Sequence, residues 1–471
     1  MAFFINSLNG SANKEGKGIK NNSLTKGVIW KKLLFFALPL LGTSFIQQLY
    51  NTVDLIYVGN FLGKEAAAAV GASTLFVTCL VGFFSGMSVG SSAVTAYVFG
   101  SGKRRELKKV IHTTVGLAFI CGLIMMVIGL IGAPYFLKMI NTPDEIMGMA
   151  VSYVRVYFIS IIAVVTYNMA SGIIRALGDS KTTMHIQLIG GLVNVVMDAV
   201  FIFLFKNGVV GVALATLFSQ SVAAGLALLY LMRLEPESRL EWKKIRVDVQ
   251  LLSNILKIGV PSGLQALVIT VSNVFIQFHV NSLGVDAIAA FTAYFKVELL
   301  IYLPILAFGQ AISTFTSQNL GASEYERVKK GTRVCLAMGI GVTALMSALV
   351  LAFGRQAFSA INSDPGVLDL GVQIISVTVP FYFVYLILEV LGGTIRGAGK
   401  AVPPMVIILT NICVLRTVLL FMIMASNQSI TGIAMTYPIT WASTALGMAI
   451  YYFKGDWMGE FKRLKALEGF E

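Results

Sequence analysis

Twelve stretches of this chain are apolar over about the 20 residues that a helix needs to cross a bilayer, and that recurrence leaves few folds open. They run approximately over 33–57, 66–98, 108–132, 150–174, 184–205, 209–232, 254–281, 287–319, 331–353, 371–395, 403–425 and 431–453. No water reaches the bilayer core to satisfy backbone groups, so spanning segments of this length must be helical. The expected fold is an all-α polytopic membrane protein with twelve transmembrane helices. Composition agrees: 56% of the residues are hydrophobic and 13% charged, against about 25% charged in an ordinary soluble chain.

The basic residues orient the spans. The N-terminal tail, the loops at 99–109, 174–182, 233–257, 320–333 and 396–400, and the C-terminal end hold 29 of the 36 Lys and Arg. By the positive-inside rule that side is cytoplasmic, which places both termini in the cytoplasm; the expected location is the cell's inner (plasma) membrane. The net charge of +13 is then topogenic, and a nucleic-acid partner is not expected. The tail, 1–29, reads as flexible. Its apolar start, Ala2 to Ile5, is too short for a signal-peptide core. Cys79, Cys121, Cys335 and Cys413 fall in apolar runs without metal-type spacing and read as small core residues.

A single offset of 221 residues relates the two halves of the chain. It carries Leu62-Gly63 onto Leu283-Gly284, Lys108-Lys109 onto Lys329-Lys330 and Ile174-Arg175 onto Ile395-Arg396. It also carries Gly178 onto Gly399, Met184 onto Met405 and Gly211 onto Gly432. With one residue of slippage Pro39 and Asn51 fall on Pro261 and Asn273. The expected organisation is an N-lobe at 30–232, a polar linker at 233–251, a C-lobe at 252–453 and a C-terminal tail at 454–471. Six spans per lobe give both lobes the same orientation, with a substrate cavity between them and alternating access as the natural cycle.

No nucleotide-binding G-x-x-x-x-G-K-[ST] occurs, so energy must come from an ion gradient or the process must run downhill, and coupling to protons or sodium calls for intramembrane carboxylates. The run Leu192–Phe205 contains Asn194 and Asp198, one helical turn apart on one face. A carboxyl at that depth costs ~2.5–3.5 kcal/mol on insertion scales. On the first span Gln47, Asn51 and Asp54 form a similar stripe at i, i+4 and i+7. Paired carboxylates with amide and hydroxyl oxygens suit a proton or Na⁺. The candidate coupling site is Asp54, Asn194, Asp198 and Thr216, with Asn168 adjacent, and H⁺ or Na⁺ is its only cofactor. The alternative for each polar residue is interhelical hydrogen bonding, worth ~0.6 kcal/mol per bond. Pro39 can bend the first span below Asp54.

The C-terminal half differs. Its seventh span carries a neutral stripe that includes Asn273 and Gln277, and Glu389 of the tenth is the repeat partner of Asn168. Glu389 is either an anion facing cationic solutes or the partner of a basic residue such as Arg416. Gln47, Tyr50, Asn51, Met169, Asn273, Gln277, Tyr385 and Glu389 are candidate cavity residues for flat organic cations, through cation–π contact and adaptable packing.

Taken together, Pro39, Asn51-Thr-Val-Asp54, Val58-Gly59, Leu62-Gly63, Ala66 to Ala69, Arg175-Ala-Leu-Gly178, Arg396-Gly-Ala-Gly399 and Asn194-x-x-x-Asp198 resemble the multidrug and toxic compound extrusion (MATE) transporters. The resemblance covers roughly 33–453 and points to a bacterial branch similar to the DinF-like or MepA-like members. It implies a monomeric, non-enzymatic antiporter of the MOP superfamily, surrounded by lipid, that exports cationic amphiphiles in exchange for H⁺ or Na⁺. The family's N-lobe cation site falls on Asp54, Asn194, Asp198 and Thr216. One branch places acids in the seventh and tenth spans; here the seventh has none. A lipid-linked oligosaccharide flippase of the same superfamily is the competing expectation.

Overall fold

The computed structural model describes residues 23–426 and 428–459. Twelve long helices order the described residues: α1 Ile29–Leu62, α2 Lys64–Gly100, α3 Arg104–Met139, α4 Asp144–Ala176, α5 Ser180–Leu204, α6 Gly208–Met232, α7 Val249–Asn281, α8 Val285–Gly321, α9 Tyr325–Ser359, α10 Pro365–Gly397 and α11 Val402–Ser426, then α12 Ile430–Lys454. The first eleven are long and apolar enough to cross a membrane. Their outward faces are those of a bilayer protein. On α3, Ile120, Leu123, Ile124, Val127, Ile128 and Ile131 form an exposed stripe, at a spacing that puts them on one side of the helix.

The 221-residue repeat is written into the turns. Gly63 and Gly284, which precede α2 and α8, have φ of 86° and 98°, and Gly178 and Gly399, after α4 and α10, have 89° and 81°. A Cβ disfavours this left-handed region, so glycine recurs at both copies. The third such pair is unequal: Gly102 has φ 74°, but its partner position holds Ser323 at 59°. Helix crossings repeat as well. A Cβ on Gly172 of α4 would lie 3.1 Å from Ser88 O of α2, and one on Gly393 of α10 would lie 2.5 Å from Gly309 O of α8.

The chain forms two compact units: Gly42–Gly263, and Leu24–Leu41 together with Leu264 onward. They depart from the contiguous lobes read from the sequence. The first part of α1 belongs with the second unit and the first part of α7 with the first, the changes falling within three residues of Pro39 and Pro261. Helix α1 runs on through Pro39.

Residue 24 corrects the expectation of a flexible tail through 29; residues 1–22 lie outside the described residues. In the second unit the Leu24 side chain is 2% exposed within the apolar core. Its N–H donates to Gln318 Oε1 (2.8 Å), and its carbonyl accepts from Asn319 Nδ2 (3.4 Å) and Arg327 Nη2 (3.2 Å). The linker is also docked. In the first unit, Glu241 accepts hydrogen bonds from Lys108 of α3 and pairs with Lys244 at 2.6 Å. The Glu241 N–H donates to His112 Nε2 (3.0 Å), and the Asp248 N–H to Thr113 Oγ1 (3.1 Å). The two ammonium donors, Lys108 first, pull the Glu241 carboxyl down to about 2.

Candidate functional site

Within the first unit, α1 and α5 can approach closely because α5 offers a glycine at the contact. A Cβ on Gly191 would lie 3.2 Å from Tyr50 Cδ1 and 3.4 Å from Ile46 Cγ2 of α1. Gln187 Nε2 donates to the Tyr50 hydroxyl at 3.4 Å. The two polar stripes therefore meet, with the Asp54 and Asp198 carboxyls in electrostatic range of each other. Asp198 is 0% exposed and Asn194 1%, while Asp54 is half-buried.

Five polar atoms of this cluster are buried without a hydrogen-bond partner: Asp54 Oδ1, both Asn194 amide atoms and both Asp198 carboxylate oxygens. Buried polar groups are nearly always satisfied, and two bare carboxylates that share a site repel each other. A shared proton, or a hard cation held by Asp54, Asp198 and the Asn194 carbonyl oxygen, would relieve the repulsion and satisfy part of this set. No group of three or more His, Cys, Asp or Glu with metal-binding geometry occurs among the described residues.

Rings surround the acids. Tyr153 of α4 lies in electrostatic range of both carboxyls, and Tyr157 and Tyr50 in range of Asp54. Tyr153 and Tyr157 were not singled out from the sequence; their i, i+4 spacing on α4 was the available signal. Both acid-bearing helices widen into π-type turns just beyond the acids, at Val58–Leu62 and Val200–Leu204. Such turns rotate the side chains that follow and are frequent at functional sites. Phe61 and Phe203, one from each turn, pack edge to face at 4.9 Å, with Tyr57 alongside.

Of the remaining candidates, Thr216 donates its hydroxyl proton to Val212 O and Asn168 Nδ2 donates to Val164 O, each on its own helix. Gln47 and Asn51 are exposed. Met169 is 0% exposed, enclosed in the packing of α4 rather than open to a cavity. In the second unit Asn273 and Gln277 are half-buried, and Gln277 donates to Asn281 Oδ1 at 2.7 Å. Tyr385 is 7% exposed, among Tyr302, Tyr382 and Trp441. Glu389 is committed to an ion pair, with Arg396 Nη2 2.5 Å from its Oε1; the sequence had suggested a cavity anion or a bond to Arg416. Its repeat partner Asn168 has no charge to pair.

Comparison with known proteins bears on the whole arrangement. The family model described as MatE matches twice, over 39–200 and 261–422, one copy in each half of the repeat. The chain is 26% identical to the probable multidrug resistance protein YoeA of Bacillus subtilis, over 91% of this chain and 94% of that one. It is 28% identical to YpnP of the same organism, described in the same words, over 93% and 98%. Its fold is similar to an outward-facing multidrug resistance MATE family transporter of the MOP superfamily, with a TM-score of 0.87 at 21% identity, covering 96% of this chain and all of the other.

Proposed function

The chain belongs to the MATE family, and from that premise we propose that it is a multidrug efflux transporter driven by H⁺ or Na⁺ exchange at Asp54 and Asp198. The family is one of transporters, not enzymes. The observation that carries the coupling assignment is the meeting of a buried and a half-buried carboxyl, with five orphaned polar atoms, in one unit. An ion entering this cluster replaces carboxylate repulsion with attraction, and its departure restores the repulsion. The packing of α1 against α5 therefore has two states of different energy, selected by the ion.

In this reading the exported compounds are organic cations and other amphiphilic drugs. The basic loops lie in the cytoplasm with both termini, and the protein works as a monomer in the plasma membrane by alternating access. Efflux of a fluorescent cation from proteoliposomes, with pH and Na⁺ gradients imposed separately, tests the proposal. Asp54→Asn and Asp198→Asn are each expected to lower gradient-driven efflux at least tenfold, equivalent to about 1.4 kcal/mol of lost coupling. Wild-type rates in both variants would falsify the assignment.

A further inference from the structure

On the bilayer-facing side of the first unit stands a cation that no acid neutralises. Arg155 of α4 is exposed, one turn before the exposed Ile159. Its Nε donates to the Leu130 carbonyl of α3 at 3.2 Å, between the exposed Ile128 and Ile131. Helix α3 runs on through Pro134, which stands four residues after Leu130 and has no N–H to give that carbonyl. Arg155 thus repairs the ladder of the neighbouring helix with one nitrogen, and its two terminal nitrogens have no partner among the described residues. Among those residues it forms no ion pair either. The nearest acid along α4, Glu145, is ten residues away, and α3 has none after Glu106.

The charge starts inside the apolar layer. With the 33-residue helix α4 centred on a core about 30 Å thick, the Arg155 Cα lies about 8 Å from the midplane. A bare guanidinium is costly at that depth. Helical side chains lean toward the N-terminus of their helix, so Arg155 leans toward the α3–α4 turn, and Leu130, nine residues before the end of α3, lies on that side. The path to the surface is kept clear. Gly148, Ser152 and Arg155 share one face of α4 at i, i+4 and i+7, and all three are exposed. A Cβ on Gly148 would meet nothing within 4 Å. At the rim α3 adds Tyr135, 74% exposed, and the exposed Lys138.

We propose that the groove between α3 and α4, at the end where a turn joins them, binds one anionic phospholipid. Its phosphate is drawn below the headgroup plane to Arg155, whose planar pair of donors fits two phosphate oxygens. Lys138 attracts the rest of the headgroup, and the acyl chains lie along the exposed isoleucines of α3. An anionic headgroup is favoured over a zwitterionic one, which would bring its own ammonium to a rim that already holds two cations. The site is separate from the coupling acids: Tyr153 and Tyr157, which surround them, lie on the opposite, buried face of α4. In the proposed topology the lipid belongs to the outer leaflet. The inference goes beyond the export reading and is measured without transport.

The test is native mass spectrometry of the delipidated full chain, titrated with phosphatidylglycerol or with phosphatidylcholine of the same acyl chains. Wild type is expected to bind one phosphatidylglycerol about tenfold more tightly than phosphatidylcholine. Arg155→Gln should remove most of that preference and Lys138→Gln part of it. Lys64→Gln, which removes an exposed cation at the start of α2, should leave it intact. Pro134→Ala returns an N–H to the Leu130 carbonyl, so the Pro134→Ala, Arg155→Gln double variant keeps the ladder of α3 complete. It should lose the preference as the single variant does. Equal binding of the two lipids by wild type, or a preference that survives in the double variant, overturns the proposal and leaves Arg155 as a cap for α3. A loss with Lys64→Gln as large as with Arg155→Gln also overturns it, as does a lipid-free dimer that depends on Arg155, which would make a second copy the occupant.

Discussion

Replacing Glu389 by Gln separates a structural ion pair from a substrate-facing anion. The Arg396 Nη2 and Glu389 Oε1 atoms are 2.5 Å apart, with side chains 9% and 11% exposed. The guanidinium's other contact is a long one, 3.5 Å from Nη1 to Gln265 Oε1. Gly309 of α8 closes the site from the far side: a Cβ there would lie 2.6 Å from Glu389 Oε1. Glu389→Gln leaves a buried cation with a neutral acceptor, and breaking one side of a buried pair costs about 3–5 kcal/mol. The carboxamide retains one oxygen to accept from Nη2, so the lower end, about 3 kcal/mol, is the expected loss. Arg396→Gln should cost a similar amount, and the double variant about the same again rather than the sum, which gives a coupling energy of roughly 2–3 kcal/mol. Detergent-solubilised protein followed by reversible SDS unfolding measures all four stabilities. Export of a monocationic dye, normalised to folded protein, should be unchanged in Glu389→Gln. Additive stabilities, or a selective loss of cation export at full folding, would refute the reasoning and return Glu389 to a cavity role.

The glycine crossings rank by clearance. Gly393→Ala meets a backbone carbonyl at 2.5 Å and Gly172→Ala one at 3.1 Å, so thermal unfolding should show Gly393→Ala destabilised by about 1–3 kcal/mol and Gly172→Ala by less. Ser323→Gly relieves the left-handed strain that its partner Gly102 avoids; a gain of about 0.5–1 kcal/mol is expected by the same assay, and no gain would mean that the serine side chain repays the strain. The Glu241 clasp depends on pH. Its folded-state value of about 2 lies below the ordinary 4.5, so its contribution is fully present above that ordinary value and is lost as pH falls toward 2. Hydrogen exchange of the Glu241 and Asp248 amides should accelerate over that window beyond the intrinsic trend, and Glu241→Gln should abolish the pH dependence.

By itself the sequence determined whatever is local or periodic. Helix spans followed from bilayer thickness, and the two acid stripes from helical spacing on α1 and α5. The turn glycines at 63, 178, 284 and 399 followed from the repeat, because a left-handed backbone excludes most side chains whatever the surroundings. Tertiary structure decided which stripes meet and which charges pair. Glu389 had two arginines within a plausible reach; the packing of α10 on α8 at Gly309 gave it to Arg396, two turns along its own helix, and left Arg416 to a threonine and a tyrosine ring. The same holds for Leu24, whose place in the second unit is set by Gln318, Asn319 and Arg327, about three hundred residues away. No periodicity encodes such a contact. Periodicity says which face of a helix is polar, and only the packing of the other helices says what that face meets.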